Sequence, residues 1–295
     1  MIWILIIGFI IIFIYIIKKN INNLDTNNYD LDTNNYDLDT NNYDLDTNNY
    51  ECNKCIFETF NSFNPIIWLL WFQGWDNAPQ LVLQVRDSWL YHNPDADIRL
   101  LDEKEIKKYT DYQFPDDAKL PAKSDILRII LLKKYGGIWV DATMLCLDSL
   151  DKWISNVETS KFWMYHGRNN ACTFTLSQLI ISYPNEYIIN KWYDKVIDFW
   201  SVSRTKYEYN WLDLLFHDLY NSNLKFKELI DKIPNVKCEP EYIHNYLQTI
   251  VYEYNLEKIE EIISKKPYFI KLNHYGKLTT NTNAWAMIEY AFIRK

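Results

Sequence analysis

The stretch from Lys123 to Thr143 constrains this chain most, because it joins an apolar-striped helix to two glycines, three apolar residues and an acid. Ile126, Leu127, Ile130 and Leu131 recur at three- and four-residue spacing, which predicts one buried helix face. Asp125 and Arg128 sit three apart, so they share a face and can reach the same object. Gly136 and Gly137 end the helix, since glycine tolerates the positive φ that a helix C-terminus wants. Ile138-Trp139-Val140 then reads as a short buried strand with Asp141 at its C-terminal end. In an α/β sheet that end is where ligands bind. The plainer alternative is a surface ion pair on a helix beside a core strand.

The flanking sequence supplies the other elements of such a sheet. Pro65–Trp71 predicts a buried strand, and Phe72–Pro79 a loop rich in aromatic rings. A helix follows over Gln80–His92 and stops at Asn93-Pro94. Ile98–Leu101 predicts a second strand and Asp102–Tyr109 a charged helix. This alternation predicts an α/β domain with a mainly parallel sheet. Residues 142–150 are expected to continue the sheet, with an apolar segment at Phe162–Tyr165 and a polar cluster at His166–Asn170. Further helices are expected over Ser177–Ser182, Glu186–Trp200 and Trp211–Tyr220. Ile270–Leu272 predicts a strand running into the polar turn Asn273–Lys277, and Ala284–Ile293 a last helix.

Ahead of this domain (57–295), residues 2–17 carry no charged or strongly polar side chain. As a helix they rise roughly 24 Å, close to the ~30 Å hydrocarbon core. With Lys18 and Lys19 able to snorkel, residues 1–19 are expected to be a single-pass membrane anchor. The two lysines lean the following domain toward the cytosol, with a lumenal placement left open. Leu-Asp-Thr-Asn-Asn-Tyr-Asp then repeats from Leu24, Leu31, Leu38 and Leu45, inside a linker over 20–56. Its recurrent acids predict an extended, disordered stalk, with calcium binding as the other reading. The stalk also explains the net charge: residues 24–51 hold seven Asp plus Glu51 and no Lys or Arg, equal to the −8 of the whole chain. The remainder balances, and no basic stripe suggests a nucleic-acid partner. Five cysteines describe no disulfide framework, although Cys52 and Cys55 have the spacing of half a zinc site. The 12 Trp and 23 Tyr suit either sugar stacking or core filling.

Ser124-Asp125-Ile-Leu-Arg128 followed by Tyr135-Gly-Gly-Ile-Trp-Val-Asp141 resembles the signature of capsular polysaccharide synthesis-type glycosyltransferases. These are related to enzymes with a DXD-containing sugar-binding region, such as initiation-type mannosyltransferases. Ile66–Trp71 with Gly74-Trp75, Ser88-Trp89 with Asn93-Pro94, and Leu100-Leu-Asp102 fit the same resemblance. It implies a GT-A fold, a Rossmann-like sheet binding a nucleotide-sugar donor at its strand ends. It further implies a glycan or glycoprotein acceptor and a retaining transfer.

By that resemblance Asp125, Arg128 and Asp141 form the catalytic constellation, and Asp141 holds a Mn2+ or Mg2+ ion that stabilises the departing diphosphate. Trp71 would stack on the base, Gly136, Gly137 and Thr143 would contact substrate, and Lys277 would meet the diphosphate. His274 could complete the metal site. Trp139 shares the strand face of Asp141 and could line the site, with a core position as the plainer reading. One departure is visible: Asp141-Ala142-Thr143 replaces Asp-x-Asp, and a threonine hydroxyl is a poorer ligand for a hard divalent ion than a carboxylate. This leaves open a catalytically silent descendant that binds a glycan or protein through Trp71 and Trp75. A metal-dependent hydrolase or phosphotransferase is the remaining reading, with Asp213 and His217 as its one local pair.

Overall fold

The structure, a computed structural model, describes residues 65–155, 160–165, 176–233, 254–272 and 278–293. The predicted anchor, the acidic repeat, Cys52, Cys55, the His166–Asn170 cluster, His274 and Lys277 lie outside the described residues. The described residues open on β1 (Ile67–Leu70), buried on both faces as a continuous apolar run demands. They continue through α1 (Gln80–His92), β2 (Ile98–Leu101), α2 (Leu120–Tyr135), β3 (Gly137–Val140) and β4 (Met144–Cys146). Next come β5 (Phe162–Tyr165), β6 (Leu176–Ser182), α3 (Tyr187–Phe199), α4 (Trp211–Ser222) and α5 (Leu224–Ile230). Then follow α6 (Leu256–Ser264), β7 (Phe269–Lys271) and α7 (Asn283–Ile293). Among the described residues no helix is long and apolar enough to cross a membrane.

The main sheet has the order β2-β1-β3-β6-β5. β1 pairs parallel with both β2 and β3, while β6 runs antiparallel to β3 and to β5. Four strands therefore point one way and β6 alone is reversed, which meets the expectation of a mainly parallel sheet. The registers Leu69↔Val140 and Val140↔Leu179 fix the site. They set the residues after β1, those after β3 and the start of β6 side by side at one sheet edge.

Three sequence expectations are corrected. Ser177–Ser182 is not a helix but most of β6, because Leu179, Ile180 and Ile181 are buried between β3 and β5. A short apolar run carries no period that separates the two outcomes. Residues 142–150 do not continue the main sheet. β4 instead pairs with β7 in a separate two-stranded sheet. Its other flank is tied to α1: the Trp89 indole N–H donates to the Met144 carbonyl at 2.7 Å, and the Cys146 N–H donates to Ser88 Oγ at 3.0 Å. Finally, the helix expected over Asp102–Tyr109 shrinks to a 3-10 turn, Glu105–Lys108. Only Ile106 is buried there, too little apolar face to hold a longer helix.

Among the described residues most of the tryptophans are core material. Trp68, Trp89, Trp139, Trp153, Trp163 and Trp192 are fully buried, and four of them satisfy their ring N–H within the protein. Trp68 illustrates how packing fixes the glycine junction. Its Nε1–H donates to the Gly136 carbonyl at 2.9 Å, and its ring meets Tyr109 edge-on at 5.0 Å.

Candidate active site

A cavity of about 550 Å3 opens where β1 and β3 end and β6 begins. Leu70 and Trp71 reach it at the end of β1, Trp139 from within β3, Asp141 and Thr143 just after β3, and Ser177 and Gln178 from β6. α2 contributes Asp125 and Arg128, α4 contributes Asp213, and β7 contributes Lys271. Sheet register does the positioning: the Asp141 N–H donates to the Gln178 carbonyl at 2.8 Å, which holds the acid beside β6.

Arg128 is the hinge of the charge cluster. One terminal nitrogen lies 2.8 Å from Asp125 and 3.3 Å from Asp141; the other donates to the Ser177 carbonyl and hydroxyl at 2.6 and 2.9 Å. Its guanidinium lies 5.2 Å from the Trp139 ring centroid, and its side chain is only 6% exposed. A fork that serves two acids and a carbonyl at once is a geometry only arginine supplies. The Trp139 indole N–H donates to Asp141 Oδ1 at 3.0 Å. Lys271 donates to Asp141 Oδ2 at 2.7 Å.

These contacts split the two acids electrostatically. For Asp141 burial favours the neutral form, but Lys271 and Arg128 outweigh it and hold the carboxyl below its usual range. Asp125 is pushed up to about 7 by burial; Arg128 pulls it back, while Asp141 and Asp213 add to the rise. The sign of the stability consequence follows from linkage. Between its ordinary value of 3.8 and about 7 the folded protein keeps a proton that the unfolded chain has lost. The stabilisation from this group is full below about pH 4 and is lost as pH rises through about 7, a change on the order of 4 kcal/mol. Urea unfolding of the wild type and Asp125→Asn across this window checks it. The wild type should lose stability relative to the variant up to about pH 7, with a constant difference above.

The structure brings together five of the sequence-predicted residues, Trp71, Asp125, Arg128, Asp141 and Thr143. Trp139, read as core, is both buried and part of the site. Gly136 and Gly137 are corrected: they stand at the opposite end of β3 from Asp141 and do not line the cavity. Their service is close approach, since a Cβ on Gly136 would lie 2.6 Å from Pro184 and one on Gly137 2.2 Å from the Ile66 carbonyl oxygen. Trp75 is anchored by its N–H to the Leu101 carbonyl at 3.0 Å. Lys271, Ser177 and Gln178 are site residues that the sequence did not single out, and Asp213, singled out only as a partner of His217, joins them. For Lys271 a signal existed, a lone charge within the apolar run Phe269–Leu272.

The expected divalent ion meets a poor donor set here. Both Asp141 oxygens are taken by N–H groups, Asp125 is held by Arg128, and Thr143 is a buried neutral group. Among the described residues no group of three or more His, Cys, Asp or Glu could hold a metal ion. The described residues do not fit a resident divalent cation.

Sheet and cavity thus define an α/β protein with a cavity at the C-terminal ends of the parallel strands β1 and β3, lined by an acid, a guanidinium and a second acid. The chain belongs to the family described as capsular polysaccharide synthesis protein, which matches residues 11–290. The resemblance read from Asp125, Arg128 and Asp141 stands as family membership. An initiation-specific α-1,6-mannosyltransferase of Candida albicans is 29% identical over 114 residues, covering 35% of this chain and 30% of the relative. The chain therefore spans less than a third of the length of that curated relative. Among solved structures, the PaToxG glycosyltransferase aligns with a TM-score of 0.42 and 19% identity, over 63% of this chain and 84% of that one.

Proposed function

We propose that this chain is a glycosyltransferase that moves a sugar from a nucleotide-sugar donor to a glycan or protein acceptor. The carrying observation is the Asp125–Arg128–Asp141 cluster, set by sheet register at the edge of the strand-end cavity. Family membership and a mannosyltransferase relative support the reading. In it, Trp71 stacks on the base at the end of β1, and Asp125 accepts hydrogen bonds from sugar hydroxyls. Asp141 sets the positions of the cationic groups around the departing diphosphate. Arg128, mostly buried, acts as a positioning residue that holds the two acids apart and aligned. The proposal extends to a membrane-anchored enzyme, with residues 2–17 as the anchor, and to transfer with retention at the anomeric carbon.

The test incubates the full chain in detergent with a panel of nucleotide-sugars, GDP-mannose among them because of the relative. Asp141→Asn should lower turnover about 100- to 1,000-fold, the scale for losing one preorganised electrostatic group. NMR of the product anomer reads the stereochemistry. Donor binding without turnover in the wild type would favour the silent descendant, and no binding of any donor would refute the reading.

A further inference from the structure

We propose that Lys271 is the built-in counter-ion for the donor's diphosphate, so that nucleotide binding here needs no divalent metal. The inference rests on the nucleotide-sugar reading above and deepens it.

Lys271 ends β7, where its register partner is Met144, the first residue of β4. Phe269, Ile270 and Leu272 around it are buried, so the strand fixes the base of the side chain. The ammonium lines the cavity with the side chain 15% exposed, and it reaches Asp141 Oδ2 at 2.7 Å. An ammonium carries three donors. Asp141 takes one, which leaves two for phosphate oxygens. The same contact obstructs a metal: an ion bound to Asp141 Oδ2 at ~2.1 Å would lie within a few Å of both an ammonium and a guanidinium. The neutral Thr143 in place of a second acid removes the ligand that would favour the ion over the lysine. Gln178 adds a donor to the same wall. It is 7% exposed, lines the cavity, and its side-chain amide nitrogen is buried without a hydrogen-bond partner.

In the transfer itself, the bond from the anomeric carbon to the diphosphate breaks with its electron pair on the phosphate oxygen. The acceptor oxygen forms the new bond to that carbon, and the acceptor proton passes to the departing phosphate oxygen. Lys271 keeps its own protons and donates hydrogen bonds to the diphosphate as charge grows there.

Calorimetric titration of the full chain in detergent with GDP and with UDP, in EDTA and then in Mn2+, separates the cases. The expected result is binding of one nucleotide in EDTA, within about twofold of its affinity in Mn2+. Lys271→Met should weaken that binding at least about 30-fold, with Lys271→Arg restoring part of it. A melting curve for each variant checks that the fold is retained. Binding in Mn2+ alone, or full affinity in Lys271→Met, overturns the inference and leaves the glycosyltransferase reading intact. Binding in neither buffer overturns both.

Discussion

Arg128→Leu is expected to cost the folded domain about 3–5 kcal/mol, the penalty for breaking a buried ion pair by removing one partner. The substitution leaves Asp125 and Asp141 facing each other without the guanidinium between them, and it removes the donor to the Ser177 carbonyl. Lys271 and the Trp139 N–H still serve Asp141, so most of the penalty falls on Asp125. The loss should therefore depend on pH: large at pH 8, where Asp125 is ionised in the wild type, and smaller at pH 5, where it already carries a proton. Arg128→Lys should recover little, because an ammonium cannot reach two carboxylates and a carbonyl in one plane. Urea titration at the two pH values measures this, and an Arg128→Leu domain within about 1 kcal/mol of wild type at pH 8 would show the cluster to be incidental.

How far the sequence carried the structure depends on which information each residue's position needed. Asp125, Arg128 and Asp141 were legible because helix spacing and a strand end are local properties, and the structure brings all three to one cavity. The parallel β1–β3 core was legible for the same reason. Lys271 was not placed, since its meeting with Asp141 depends on β4 leaving the main sheet to pair with β7, a contact spanning 130 residues. Ser177 and Gln178 were misplaced with the element that carries them. Their hexapeptide reads equally as helix or strand until β3 and β5 are known to flank it. Trp139 had two readings, core and site, and the structure makes them one: a buried indole whose N–H orients the acid and whose ring lies beside the guanidinium.

Gly137→Ala should damage the fold as severely as Arg128→Leu, from the end of β3 opposite Asp141. Gly137 has φ 97°, a region that residues with a Cβ adopt only at a cost of roughly 1–2 kcal/mol. The added carbon would also lie 2.2 Å from the Ile66 carbonyl oxygen and 3.1 Å from Trp68 Nε1. The first of these is backbone and cannot swing aside. That oxygen accepts the Ile138 N–H at 2.8 Å, so relieving the clash means opening the first rung between β1 and β3. Overpacking adds about 1–3 kcal/mol. Together the two effects are on the order of 4 kcal/mol, a large share of a stability that for a domain runs to roughly 5–15 kcal/mol. The clash has a functional corollary. Asp141 lies four residues along β3, and Leu69↔Val140 pairing sets its distance from Trp71. An opened first rung loosens that register, so nucleotide binding should weaken along with stability. Gly137→Ala is then expected to lower both the urea midpoint and the affinity for the nucleotide bound by the wild type. A variant that kept wild-type stability would mean that β3 can shift without cost, and the rigid placement of Asp141 argued from this register would fall with it.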